Sequence, residues 1–307
     1  MELPRNHHFK PVFFLSRWVG RDGRLCEMKL IHGKLVAKRP YPAGTGYIKD
    51  LYRTDGVPDD ISQDLEIKFM SPLDNAAARA LSNLASDMPL SADERTAWAH
   101  FLLSMLYRNR ECVELLKMHM TEIRSEATLA LEPDWAAQRS PLDELTLADA
   151  SAARKPAAAN IDAANMLVDI IANSRAVPDI VKMHWMRIDL RKSTIPLLTS
   201  DRPLVFVGLS HPMAHMALPI GPHDLFVAAI DEHLTKALLN VDPTKLAWEM
   251  NRDVVSSARQ FVWGVDDGQI DFVRTWINSV PDRVILTETQ RQNILAIGRG
   301  LQPTDAG

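Results

Sequence analysis

Between residues 92 and 131 apolar side chains recur at spacings of three, four and seven: Trp98, Phe101, Leu102, Met105, Leu106, Val113, Leu116, Met120 and Ile123. That period lays them on one face of an α-helix. Ser91 and Glu94 stand at capping-box spacing and mark its start. A single helix reaching residue 131 would be about 60 Å long, so a break is predicted inside it. Upstream the pattern is strand-like. Residues 24–31 and 34–38, separated by His32-Gly33, predict a β-hairpin with a short glycine turn. The Gly-, Pro- and Tyr-rich stretch 40–56 predicts a loop with a short strand at 47–52. A short helix is predicted at 64–70, and Ser71-Pro72 opens a second running to about residue 85.

Further on, 133–160 contains Pro133, Pro141 and Pro156 with no sustained apolar period. It predicts a loop or lid with one short helical turn within 142–153. A helix follows at 161–174, then strands at 182–190, 193–199, 204–208, 216–220 and 225–230. Their spacing leaves no room for crossover helices, so the pairing should be antiparallel. Helices are predicted at 234–240, 243–260, 270–279 and 288–298, with a strand at 283–286. The expectation is a single α+β domain over 1–301 with a largely antiparallel central sheet and further C-terminal helices. A mainly helical subregion, 57–175, is inserted between hairpin and sheet, and 302–307 is a loose tail.

Composition narrows the class. With 307 residues and 46% hydrophobic content the chain can bury a full core. No run approaches the roughly 18 apolar residues of a membrane span. The opening residues lack a signal-peptide pattern, and Cys26 and Cys112 form no disulfide framework, so a bacterial-type cytosol is the expected compartment. A net charge of −4 gives no global attraction to nucleic acid or anionic lipid.

Candidate chemistry sits where polar residues interrupt apolar patterns. Arg108 falls on the helical face of Phe101 and Met105, and a buried arginine requires an anion, either a ligand or a structural partner. Asn251 lies on the stripe Ala247, Met250, Val254, Ala258 and Phe261, as a ligand-orienting amide or as a tie to a neighbouring loop. Asp201, in the Thr-Ser-Asp-x-Pro corner at 199–203, is either a reactive acid or a cap on the turn backbone. His7 and His8 precede the cluster Phe9, Phe13, Phe14 and Trp18, which predicts an N-terminus docked into the body. They can move protons, or serve as hydrogen-bonded packing residues.

The segment from His8 to Leu15, with Pro11, resembles the H-x-x-P-x-x-x-L opening of a largely bacterial family of uncharacterised proteins, a domain of unknown function. The corner from Leu198 to Pro203, preceded by a strand bearing Trp185, resembles that family's T-S-D-x-P motif. Arg108-Asn109-Arg110, and Asn251 with Ala258 and Val262, resemble two further helical segments of it. The acid at the start of the second helix is Asp74, where the family would have glutamate. The resemblance implies no activity.

Together these residues are the parts of a hydrolase for an anionic, phosphodiester or nucleic-acid substrate, nuclease-like, in a defence or toxin setting. His8, Asp201 and Asn251 would be catalytic; Arg108, His7 and Ser200 would bind substrate. The alternative is a non-catalytic module using the same residues for an anionic ligand or a partner. The hydrolase reading predicts that His8, Arg108, Asp201 and Asn251 converge on one cleft. The partner expected is an anionic small molecule or a nucleic acid, and no membrane; a third reading is an RNA-binding protein using Arg17, Arg21, Arg24, Lys29, Lys34, Lys38 and Arg39, with Trp18 and Tyr41 for stacking. No motif identifies a cofactor: Gly44-Thr45-Gly46 is followed by no phosphate-loop lysine. Asp22, Glu27 and Lys29 weakly match a metal-nuclease D…E-x-K pattern, and His211 and His215 read as loop residues.

Overall fold

A computed structural model of the protein describes residues 5–138, 145–152, 155–281 and 292. The predicted strand at 283–286, the helix at 288–298 apart from residue 292, and the tail at 302–307 lie outside the described residues. The class is α+β, and every strand pair is antiparallel. The strands fall into one two-stranded and two four-stranded sheets.

The first four-stranded sheet begins with the predicted hairpin, β2 (Cys26–Ile31) and β3 (Lys34–Lys38). His32 and Gly33 both hold positive φ, at 47° and 77°, the geometry of a two-residue turn whose twist matches its strands. Ahead of it β1 (Asn6–His8) pairs with β4 (Tyr47–Lys49), setting His7 opposite Ile48. Between them α1 (Val12–Leu15) carries the aromatic segment inward, with Phe9, Phe14 and Trp18 buried. Phe14 packs 5.3 Å from Trp18 and 5.7 Å from Phe101. The N-terminal segment is docked, as its aromatic content requires.

The helical block opens with a π-helix, Leu65–Met70, that runs directly into α2 (Ser71–Ala85). Pro72 at the junction supplies no N–H, so the wider turn before it costs no helical hydrogen bond there. The capping box starts α3 (Ala92–Tyr107): Ser91 Oγ accepts from Glu94 N at 3.2 Å, and Glu94 Oε2 from Ser91 N at 2.9 Å. The predicted break comes at Arg108 and Asn109. Asn109 Oδ1 accepts from Cys112 N at 3.0 Å and restarts the chain as α4 (Arg110–Gln138).

Two expectations need correction in this block. The loop predicted from residue 133 is still helix as far as Gln138, with Pro133 inside α4. Its later part holds α5 (Leu147–Ser151), inside the range predicted for one short helical turn, and Lys155 already begins α6 (Lys155–Ala172), ahead of the predicted start at 161. An alanine-rich sequence keeps helix propensity without an apolar period, so periodicity alone undercounted it. A further helix, α7 (Ala176–Lys182), precedes β5 (His184–Asp189).

The second four-stranded sheet has the order β5-β9-β8-β7, with β7 (Val205–Val207), β8 (His215–Gly221) and β9 (Asp224–Ala229). The strand predicted at 193–199 is corrected to β6 (Thr199–Ser200). Pro196 has no N–H to donate, and the backbone at 197–198 bonds outside any ladder, Leu197 N to Pro222 O at 2.7 Å. After α8 (Glu232–Leu238), α9 (Pro243–Ser257) stops three residues short of its predicted end. Ala258 turns extended, φ −61° and ψ 142°, and the chain enters β10 (Phe261–Gly264), a strand the periodicity gave no sign of. β10 lies between β2 and β6, pairing Val262 with Met28 on one side and Ser200 on the other. α10 (Ile270–Trp276) is the last described helix.

The largest apolar cluster joins the N-terminal segment, α2–α4, α6, β8–β10 and the three fully buried tryptophans Trp18, Trp98 and Trp263. Among the described residues no helix is long and apolar enough to cross a membrane.

Candidate functional site

Arg108 ends α3, where the helix break turns its side chain inward to 1% exposure. The anion it needs is internal. Nη1 and Nη2 close on the two oxygens of Asp74, at 2.6 and 3.0 Å, and Nη2 also donates to His8 O at 2.8 Å. Burial opposes the guanidinium charge, but Asp74 and Tyr52 outweigh it and raise its pKa. The arginine therefore joins α2, α3 and β1, with Asp74 where a ligand would otherwise be.

His7 is buried on β1; its Nδ1 accepts from Tyr52 N at 2.8 Å, and its ring stacks on Tyr52 at 5.5 Å. His8, on the other face, is half-buried against the edge of Tyr47. Burial lowers its pKa, and its buried Nε2 has no hydrogen-bond partner. Nearby, Glu66 on the π-helix accepts from Ser71 Oγ at 3.0 Å through Oε1, while buried Oε2 has no partner. Burial raises the Glu66 pKa. Glu66 was missed in the sequence because neither its spacing nor its neighbours separate it from a solvated helix face.

The Thr-Ser-Asp-x-Pro corner forms a second polar group. Asp201 Oδ1 accepts from Arg259 N at 3.0 Å, and Oδ2 from Gln260 N at 2.7 Å and Phe261 N at 3.0 Å. Burial pushes its pKa up, and the three N–H donors pull against that rise. Ser200 Oγ donates to Val254 O at 3.0 Å and accepts from Arg202 N at 3.1 Å. Asn251 accepts from Leu198 N at 2.8 Å and donates to Pro196 O at 2.9 Å and Gln269 Oε1 at 3.0 Å. All three side chains staple the 196–202 segment to α9 and the start of β10.

The expected convergence is thus divided. His8 meets Arg108 through its carbonyl, and Ser200, Asp201 and Asn251 share the α9–β10 edge. No hydrogen bond or ion pair among the described residues joins the first group to Asp201 or Asn251. What lies between them is Lys10. It is fully buried, and its Nζ donates to Met105 Sδ at 3.2 Å. Burial foremost, then the charges of Arg108 and Arg202, depress its pKa to about 7 against the opposing pull of Asp201 and Asp74. The N-terminal segment does fold back toward the corner, with Phe9 packed 5.7 Å from Phe261; the polar group it brings is this lysine.

Beyond Met105 opens a cavity of about 110 Å³ between the α3–α4 break and the corner. Leu106, Leu115 and Leu204 give it apolar walls, and Arg202, Arg259 and Glu111 also line it. Arg202 lies 3.8 Å from Glu111, and Arg259 Nη1 donates to Asn278 Oδ1 at 2.8 Å. Its size lies between that of a single water site and the roughly 150 Å³ that admits benzene. Tertiary folding alone joins helix and corner here, so the sequence held no local signal for it.

Other motifs resolve into structure. Asp22 pairs with Arg39, Glu27 accepts from the Thr45 hydroxyl, and Lys29 lies 4.5 Å over the Phe261 ring. His211 Nδ1 accepts from Met213 N at 3.0 Å, and His215 Nδ1 bonds Met213 O at 2.8 Å. Among the described residues no group of three His, Cys, Asp or Glu side chains is arranged to hold a metal ion.

Residues 6–268 match the family described as a protein of unknown function, DUF4238, and the chain belongs to that family. No curated protein and no solved structure matches it.

Proposed function

We propose that this member of the family is a non-catalytic module that binds a small organic anion in the cavity beside Met105. The observation that carries the reading is the lining of that cavity among the described residues, where Arg202 and Arg259 stand beside Glu111 on otherwise mainly apolar walls. Such a lining suits a ligand with an apolar body and a carboxylate or phosphate head. Asp201, Asn251 and Ser200 support the module over the hydrolase because their polar atoms are engaged with their own backbone and Gln269. The test is calorimetric titration with propionate and methyl phosphate, with n-propanol as the uncharged control. The anions should bind and the alcohol should not, and Arg202→Gln and Arg259→Gln should each weaken binding about tenfold or more. Equal affinity for acid and alcohol overturns the reading.

The hydrolase reading retains one specific support. His8 keeps a buried Nε2 without a partner, and burial lowers its pKa, which favours the neutral imidazole that a general base requires. Cleavage of bis(p-nitrophenyl) phosphate by the wild type, lost in a folded His8→Gln variant, would favour it over the binding module.

A further inference from the structure

Lys10 combines features that the scaffold does not require. A lysine is seldom fully buried without a carboxylate, yet this ammonium is fully enclosed and donates to a thioether. Of the two acids that act on it, Asp74 is engaged with Arg108, and Asp201 with three backbone N–H groups. Two arginines, Arg108 and Arg202, both act against the charge on the amine. Desolvation and neighbouring cations are the two conditions that turn a lysine into a nucleophile. The thioether that accepts its hydrogen bond belongs to Met105, which lines the cavity. One flexible, unbranched side chain therefore separates the amine from the proposed ligand site.

We infer that Lys10 is an imine-forming amine, reached through the cavity past Met105, and that its substrate class is a 2-oxo acid. This rests on the anion-binding reading for its charge recognition. The carboxylate would face Arg202 and Arg259, and the adjacent carbonyl carbon would face Nζ. The neutral amine adds its lone pair to that carbon, the carbonyl π electrons move to oxygen, and a proton passes from nitrogen to oxygen. Loss of water then gives the C=N bond. Nothing is oxidised or reduced, and no co-reactant is needed. The required neutral amine is available at neutral pH, because burial and the two arginines hold the group near 7.

The experiment incubates the folded full chain at pH 7 with pyruvate and cyanoborohydride, and in parallel with formaldehyde and cyanoborohydride, followed by peptide mass spectrometry. Pyruvate should label Lys10 at least about tenfold faster than the exposed Lys34 and Lys38, because at pH 7 an ordinary lysine is almost wholly protonated. Labelling should rise with pH about a midpoint near 7, and Met105→Ala should accelerate it several-fold. Lys10→Arg, with its fold checked by circular dichroism, should abolish that adduct and leave those on Lys34 and Lys38. Labelling of Lys10 no faster than of Lys34 and Lys38 with both reagents, while propionate still binds, overturns the inference and leaves the anion reading standing. Labelling by formaldehyde but not by pyruvate, without propionate binding, overturns the anion reading and the 2-oxo acid class with it.

Discussion

Arg108 and Asp74 are locked in a two-point ion pair, 2.6 and 3.0 Å, with the arginine buried and the carboxylate partly open to solvent. Removing one partner strands the other's charge, which commonly costs about 3–5 kcal/mol for a buried pair. Asp74→Ala should lower unfolding stability by about 3 kcal/mol. The double variant Asp74→Leu with Arg108→Met should lose less than the two single losses added together. A urea double-mutant cycle measures this, and strict additivity would contradict the pair's role.

Asp201 is expected to behave as a structural acid. Asp201→Ala removes the acceptor of three N–H groups at the entrance to β10. Each buried donor left unmade costs about 1–3 kcal/mol, so a loss of about 3 kcal/mol or more is expected. A variant as stable as the wild type in urea would return Asp201 to the list of reactive groups.

The legible part of this fold is what local chemistry decides. Ser91 with Glu94, His32 with Gly33, and the aromatic run from Phe9 to Trp18 each carry their own physical signal, and each element formed as that signal requires. β10 carries a misleading one. Phe261 continues the helical stripe of Val254 and Ala258, and only the open edges of β2 and β6 draw it into a sheet. The site divides in the same way. Burial of Arg108 and Asn251 followed from their places on apolar stripes. That Arg108 finds its anion on α2, and that Lys10 lies between the two polar groups, are matters of tertiary distance. A lone charge inside the run Phe9–Leu15 was the one available hint of Lys10.

The buried amine should be visible in the pH dependence of stability. Lys10 titrates near 7 in the folded chain against an ordinary value of 10.5. Between those values the unfolded chain binds the additional proton, so this contribution to unfolding free energy rises with pH, by up to about 1.4 kcal/mol per unit. Below 7 both states are protonated and the slope vanishes. The stability difference between wild type and Lys10→Met should therefore shift in favour of the wild type from pH 7 to pH 9. Parallel curves over that range would show that the amine keeps its ordinary proton affinity.

Gly46 allows β4 to pass close to Lys10. Its φ is +69°, and a methyl group there would lie 2.8 Å from Leu15 Cδ1 and 3.0 Å from Lys10 O. Gly46→Ala combines a left-handed backbone penalty with overpacking and should cost about 2 kcal/mol or more. Gly33→Ala, also at positive φ but with open space around it, should cost about 1 kcal/mol. Thermal denaturation of the two variants separates conformational from packing effects.

The late position of β10 also bears on biosynthesis. The β2–β3 hairpin leaves the ribosome early, but the strand that completes its sheet comes from near the far end of the described chain. Until then the β2 edge has nothing to pair with and is open to other chains. Joining such distant segments is entropically slow, so folding speed should be governed by arrival and capture of Phe261–Gly264 rather than by the helices. Asp201, which grips the backbone just where that strand begins, would then act as the catch that retains it.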